Sequence, residues 1–103
     1  MLVTFHTDAY ESITLFGDVA KRLLILMGQS GQIPGAILAP EVSDALMRLS
    51  RAVDQERRRS VEKIEQEDEP EVSLLQRALP VMGLLEAAAE KHCDVLWSEG
   101  VQN

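Results

Sequence analysis

The sequence predicts a small α+β domain: three helices packed on a minimal two-stranded sheet formed by the N- and C-terminal strands, with residues 36–38 as a candidate third strand. Three observations predict it. The opening Leu2-Val3-Thr4-Phe5-His6-Thr7 and the closing Asp94-Val95-Leu96-Trp97 are rich in β-branched, aliphatic and aromatic residues, as strands are. Between them lie three stretches whose apolar residues recur at helical spacing. The whole chain of 103 residues is one domain's worth, so 1–103 reads as a single small domain with a single core. Phe5, Tyr10, Phe16 and Trp97 are the only aromatics, so that core must be aliphatic.

In the first strand, alternation places Val3 and Phe5 on one face and Leu2, Thr4 and His6 on the other. Asp8 then opens a turn. The first helix is expected over residues 12–28, with Ser12 as N-cap and Gly28 as stop. Ile13, Phe16, Val19, Ala20, Leu23, Leu24 and Met27 form its stripe. Ile25 lies opposite that stripe, among charges. Residues 28–36 are turn chemistry, and Pro34-Gly35 fits the centre of a type II turn.

Pro40 suits the first turn of a second helix, expected over about 40–56, with Val42, Ala45, Leu46, Leu49, Ala52 and Val53 on its apolar face. Residues 54–71 follow with a net charge of −4 and two aliphatic residues, Val61 and Ile64. So little apolar surface predicts a frayed helix end running into a mobile, charged linker. Ser73-Leu74-Leu75-Gln76 has the form of a capping box and starts the third helix. Pro80 falls inside its stripe and predicts a kink or a break. The last strand should pair with the first, because two isolated edges would otherwise stay unpaired.

Composition excludes several functions. The net charge of −7 would repel a polyanion, so nucleic acid is not an expected partner. Arg57-Arg58-Arg59 stands among acidic residues and reads as a solvated face. Cys93 is the only cysteine, which excludes an intrachain disulfide and a Cys-rich zinc module. The longest apolar run, Leu23 to Met27, is far short of the about 20 residues of a membrane span. With no signal peptide in the opening residues, the expected location is cytoplasmic.

The chemistry-bearing residues form few patterns. Gly28-Gln29-Ser30-Gly31 fails the G-x-S-x-G elbow, because residue 32 is Gln and the segment follows a helix. His6, His92, Cys93 and Asp94 are the one group of ligand-type side chains. Antiparallel pairing of the terminal strands would bring His6 near the start of the last one. A metal would require three or four of them to converge, with Asp8 as a further donor. The competing reading makes His92 a hydrogen-bonded structural residue on its helix stripe and Cys93 a buried, inert thiol. No His–nucleophile pair stands out, so neither enzymatic activity nor a cofactor is expected.

The opening Met1-Leu2-Val3-Thr4-Phe5, then Phe16-Gly17-Asp18-Val19-Ala20 and the run Met27-Gly28-Gln29-Ser30-Gly31-Gln32-Ile33-Pro34-Gly35-Ala36 resemble a family of short bacterial proteins of unknown function. Gln76-Arg77-Ala78-Leu79-Pro80 and Asp94-Val95-Leu96-Trp97 are similar to it as well. The resemblance implies a bacterial, cytoplasmic, stand-alone small domain. It offers no activity, cofactor or catalytic residue to carry over.

The expected role is therefore a non-enzymatic interaction or regulatory protein, acting through self-association or a protein partner. Ile25 and Leu79, outside the apolar stripes, and Gly28, Gly31, Pro34 and Gly35 of the turn segment are the candidate contact residues. The alternative is a small-ligand or metal-binding protein, with its site at the Gly28–Gly35 loop or at the His6/His92/Cys93 group.

Overall fold

A computed structural model of the chain describes residues 1–62 and 71–100. The elements run β1 (Leu2–Thr7), β2 (Tyr10–Phe16), α1 (Gly17–Leu26), β3 (Gly35–Ile37), α2 (Ala39–Glu62), α3 (Glu71–Lys91) and β4 (Val95–Glu99). The four strands form one antiparallel sheet in the order β2-β1-β4-β3. The fold is α+β with three helices, but the sheet has four strands rather than two or three.

β1 pairs with β4 as expected, Phe5 opposite Trp97 and His6 opposite Leu96. β3 adds to the far side of β4, with Ala36 opposite Leu96 and Ile37 opposite Val95. The unexpected strand is β2. Residues 12–16, expected in the first helix, instead complete a hairpin with β1. Ile13 and Phe16 suit a helical stripe, yet Ile13 and Leu15 alternate equally well with Thr14 and Phe16. Pairing with β1 decides between them, because that strand would otherwise expose a hydrogen-bonding edge. The helix starts at Gly17, and its N-cap is Phe16, without a side-chain cap bond; Ser12 is not the cap.

The β1–β2 ladder carries an irregularity. Phe5 pairs with Ile13 but Thr7 with Tyr10, so Glu11 and Ser12 share the place opposite His6. This bulge reverses the alternation. Tyr10 consequently reaches α3, its hydroxyl 3.1 Å from where a Cβ on Gly83 would stand.

The helices cover one face of the sheet. Val3, Phe5, Leu15, Ile37, Val95 and Trp97 from the strands meet Leu23, Leu24, Leu49, Val53, Val81, Leu84 and Leu85 from the helices, all buried. Phe5 and Trp97 stack at a tilt, ring centroids 5.9 Å apart. The Trp97 indole N–H donates to the Gln32 carbonyl at 2.9 Å, which fixes the loop before β3.

Four further expectations meet the structure. The helix end expected at the start of the 54–71 stretch is present, and it carries α2 to Glu62 rather than to about residue 56. The Gln, Glu and Arg residues of 54–62 are good helix formers, and Val53 anchors the preceding turn in the core. Residues 63–70, the rest of the expected linker, lie outside the described residues. Secondly, α3 begins at Glu71, so Ser73 sits within the helix instead of capping it. Thirdly, α3 runs unbroken through Pro80. Both Pro80 and Gln76, whose carbonyl loses its intrahelical donor, are exposed, so water can take that bond. Fourthly, Gly35 is not the positive-φ corner of a type II turn: Ile33–Pro34 is cis, and Gly35 opens β3.

Candidate functional site

Two surfaces are built from the residues that carry chemistry or exposed apolar area. The first is the sheet face that no described helix covers. Leu2, Thr4 and His6 of β1 alternate away from the core, as expected, and their register partners share that face. Phe16 lies beside Leu2, Thr14 and Ser98 flank Thr4, and Leu96 and Ala36 continue the row from His6. Phe16 is 64% exposed and Leu96 42%. Met1 and Leu38, also exposed, adjoin the ends of β1 and β3. Thr4 is fully buried among these neighbours. Its hydroxyl donates to the Gly100 carbonyl at 2.6 Å and accepts from Thr14 Oγ1 at 2.9 Å. Along Leu2, Phe16, Thr4, Thr14, Ser98, Leu96 and Ala36 there is no charged side chain; Glu11, opposite His6 with Ser12, places a carboxylate at the corner of the face.

An antiparallel sheet with one solvated face ordinarily turns polar residues outward. This one turns out Phe16, Leu2 and Leu96. Phe16 was legible as apolar, but its assignment to a helix stripe hid it. The signal that could have found it is the alternation in Tyr10-Glu11-Ser12-Ile13-Thr14-Leu15-Phe16.

The second surface is a cleft of about 300 Å³ where β1, the β1–β2 turn, the end of α3 and β4 meet. His6, Thr7 and Asp8 line one side; His92, Cys93, Asp94 and Leu96 line the other. The structure thus brings the four sequence-chosen residues His6, His92, Cys93 and Asp94 into one place, with Asp8. Among the described residues, however, no three His, Cys, Asp or Glu side chains converge closely enough to hold a metal ion. The metal expectation goes no further than the shared cleft.

Each lining residue has a local cause. α3 ends with Cys93 N–H bonding the Ala88 carbonyl at 2.9 Å and His92 N–H the Ala89 carbonyl at 3.4 Å. This closing pattern puts His92 in the left-handed region, φ 57°, where glycine is usual. His92 is therefore an exposed residue just past the helix, not a structural histidine on its stripe. Cys93 is half-buried, its thiol pointing to the Lys91 carbonyl at 3.6 Å. The Asp94 carboxylate accepts the Ala39 amide at 2.7 Å and so caps α2 from another element. Thr7 is 6% exposed, and its hydroxyl has no hydrogen-bond partner among the described residues. Sequence reading passed over Thr7, because nothing local marks an unsatisfied hydroxyl.

The remaining candidates fall apart spatially. Ile25 and Leu79 are exposed as expected, 58% and 49%, but on α1 and α3, away from the open sheet face. Gly28 and Gly31 take φ near +90°, and Gly31 packs back on Ile25. Gly35 lies under Trp97: a Cβ there would stand 2.5 Å from Cζ2 of the indole. Those glycines are explained by backbone geometry and close packing.

Fold and surfaces together define a two-layer α+β domain with one open sheet face and a polar cleft at its rim. No described helix is long and apolar enough to cross a membrane. The family model of a domain of unknown function (DUF1840) matches residues 1–97, and the chain belongs to that family. No curated protein and no solved structure matches the chain.

Proposed function

We propose that the protein is a non-catalytic interaction domain whose open sheet face packs against a second copy of the chain. One observation carries the reading: a chain of net charge −7 leaves a partly apolar sheet face that no described helix covers, with Glu11 at its β1–β2 corner. Two strongly acidic copies repel one another over most of their surface. Contact is least costly where carboxylates are fewest, and burial of Phe16, Leu2 and Leu96 supplies the gain. An antiparallel sheet face is also suited to self-packing, since two sheets stack face to face with strands nearly aligned. A two-fold axis then presents the same residues from both sides.

Sedimentation velocity across a wide concentration range tests this. The wild-type chain should associate, and Phe16→Glu should abolish association while leaving the circular dichroism spectrum unchanged. Ile25→Glu, on α1, should associate as the wild type does. A wild-type chain that stays monomeric throughout overturns the reading. An effect of Ile25→Glu equal to that of Phe16→Glu would move the contact to the helix layer.

A further inference from the structure

We propose that the free edge of β2 pairs with β2 of a second copy of the chain, antiparallel about Thr14, to make one continuous sheet. The inference does not rest on the face packing proposed above. It concerns backbone groups at the edge of the sheet rather than side chains on its face.

β2 and β3 are the two edges of the sheet. Natural proteins keep edge strands short or guard them with proline, lysine or an inward charge. β3 follows that rule: it has three residues and comes directly after Pro34. β2 does not. It runs seven residues, Tyr10–Phe16, without proline or lysine, and Glu11 is its one charged residue.

The ladder shows which backbone groups are free. Gly17 N–H donates to the Met1 carbonyl at 2.9 Å. Antiparallel bonds alternate, so Val3 with Leu15 and Phe5 with Ile13 are the pairs that exchange both bonds. A trans peptide points its N–H and its C=O in opposite directions. The N–H and carbonyl of Thr14, the N–H of Phe16 and the carbonyl of Ser12 therefore face away from β1. Among the described residues none of these groups makes a backbone hydrogen bond.

This set is complementary to itself, which names the occupant. A two-fold axis through the Thr14 pair, normal to the sheet, sets each Thr14 N–H on the other copy's Thr14 carbonyl. Each Phe16 N–H meets the Ser12 carbonyl of the other copy. Every free donor finds an acceptor and none is left over, a closed isologous contact. Side chains agree with the register: Thr14 meets Thr14, and Ser12 meets Phe16, on the open face. Ile13 meets Leu15 on the helix side. Charge agrees as well. The two Glu11 residues fall at opposite ends of the paired strands, about 20 Å apart and beyond the screening length of about 8 Å. On the helix side Gly83 of α3 lies against Tyr10, and Pro80 and Ala87 sit one turn before and after it. That side of α3 carries small residues, which leaves room for the second copy's α3 to come alongside.

Amide hydrogen exchange of the full chain, read by NMR, tests the pairing. Thr14 and Phe16 should exchange at least about tenfold more slowly at about 1 mM than at about 50 µM. Phe16 belongs to both contacts, so Leu96, on β4, is the residue that separates them. Leu96→Glu should lose the face packing, sediment as a dimer and keep the protection of Thr14 and Phe16. Glu11→Gln should tighten pairing at least about twofold, because Glu11 comes beside Gly17 and Asp18 of the other copy. Association of the wild type without protection at Thr14 overturns the edge pairing and leaves the face packing standing. Protection that is equal at both concentrations also overturns it, by assigning the edge to a segment of the same chain. So does a Leu96→Glu variant that is monomeric and unprotected. Weaker association of Glu11→Gln overturns the register about Thr14. A wild-type monomer at both concentrations overturns both contacts.

Discussion

Single side chains fix how the sheet meets its surroundings. Gly35 and Trp97 are the sharpest case. The indole lies where a Cβ on residue 35 would be, and its N–H is committed to the Gln32 carbonyl. Trp97 is buried, so the ring cannot swing away freely. Gly35→Ala should therefore cost about 1–3 kcal/mol in urea unfolding. A loss below about 0.5 kcal/mol would show that the ring yields. Asp94 is the second case. Its carboxylate caps α2 from β4's end, because Leu38, just before the helix, offers no side-chain acceptor. Asp94→Ala should lower stability by about 1 kcal/mol, read from the urea midpoint. Neither role was legible. The sequence showed a glycine in a turn and an aspartate near a strand. Each acts on a residue more than 50 positions away.

Elements were legible where one periodicity ruled. β1 and its two faces, the pairing of β1 with β4, and the short β3 all follow from local composition. α2 and α3 follow from long apolar stripes. β2 did not, because its residues satisfy two periods over a short span and only the neighbouring strand decides. The bulge at Glu11 and Ser12 was equally hidden, since it is a property of the pair and not of either strand. Helix ends yield further expectations. His92 takes a left-handed conformation that costs a β-carbon-bearing residue about 1 kcal/mol. Glycine relieves that cost but gains freedom in the unfolded chain. His92→Gly should raise stability by about 0.5 kcal/mol net, and a loss of stability would show that the imidazole makes a stabilising contact. Pro80 is exposed within α3. Pro80→Ala restores a backbone donor to Gln76 and should raise the urea midpoint by an amount equivalent to about 1–2 kcal/mol.

At the scale of the whole molecule the asymmetry of the sheet matters most. Three helices cover one face, and their stripes are satisfied there. The other face keeps Phe16, Leu2 and Leu96 in water. If a second copy covers them, apparent thermal stability should rise with protein concentration in the wild type and not in Phe16→Glu, by mass action. A midpoint independent of concentration in both would remove the second copy as the occupant. The cleft at the rim of that face was half legible. His6, His92, Cys93 and Asp94 stood out by side-chain type, and antiparallel terminal strands place them together. Thr7 and Leu96 were not legible as wall residues.

By itself the sequence determined the fold class, the terminal strand pairing, the helical stripes and the acidic surface. Each is set by local composition or by a period that repeats along a few turns. The tertiary structure alone decided that residues 10–16 are a strand, that one sheet face stays open, and that a buried hydroxyl lacks a partner among the described residues. Those depend on which segments lie side by side in space, and burial and hydrogen bonding between distant residues leave no mark on the local pattern that a single sequence displays.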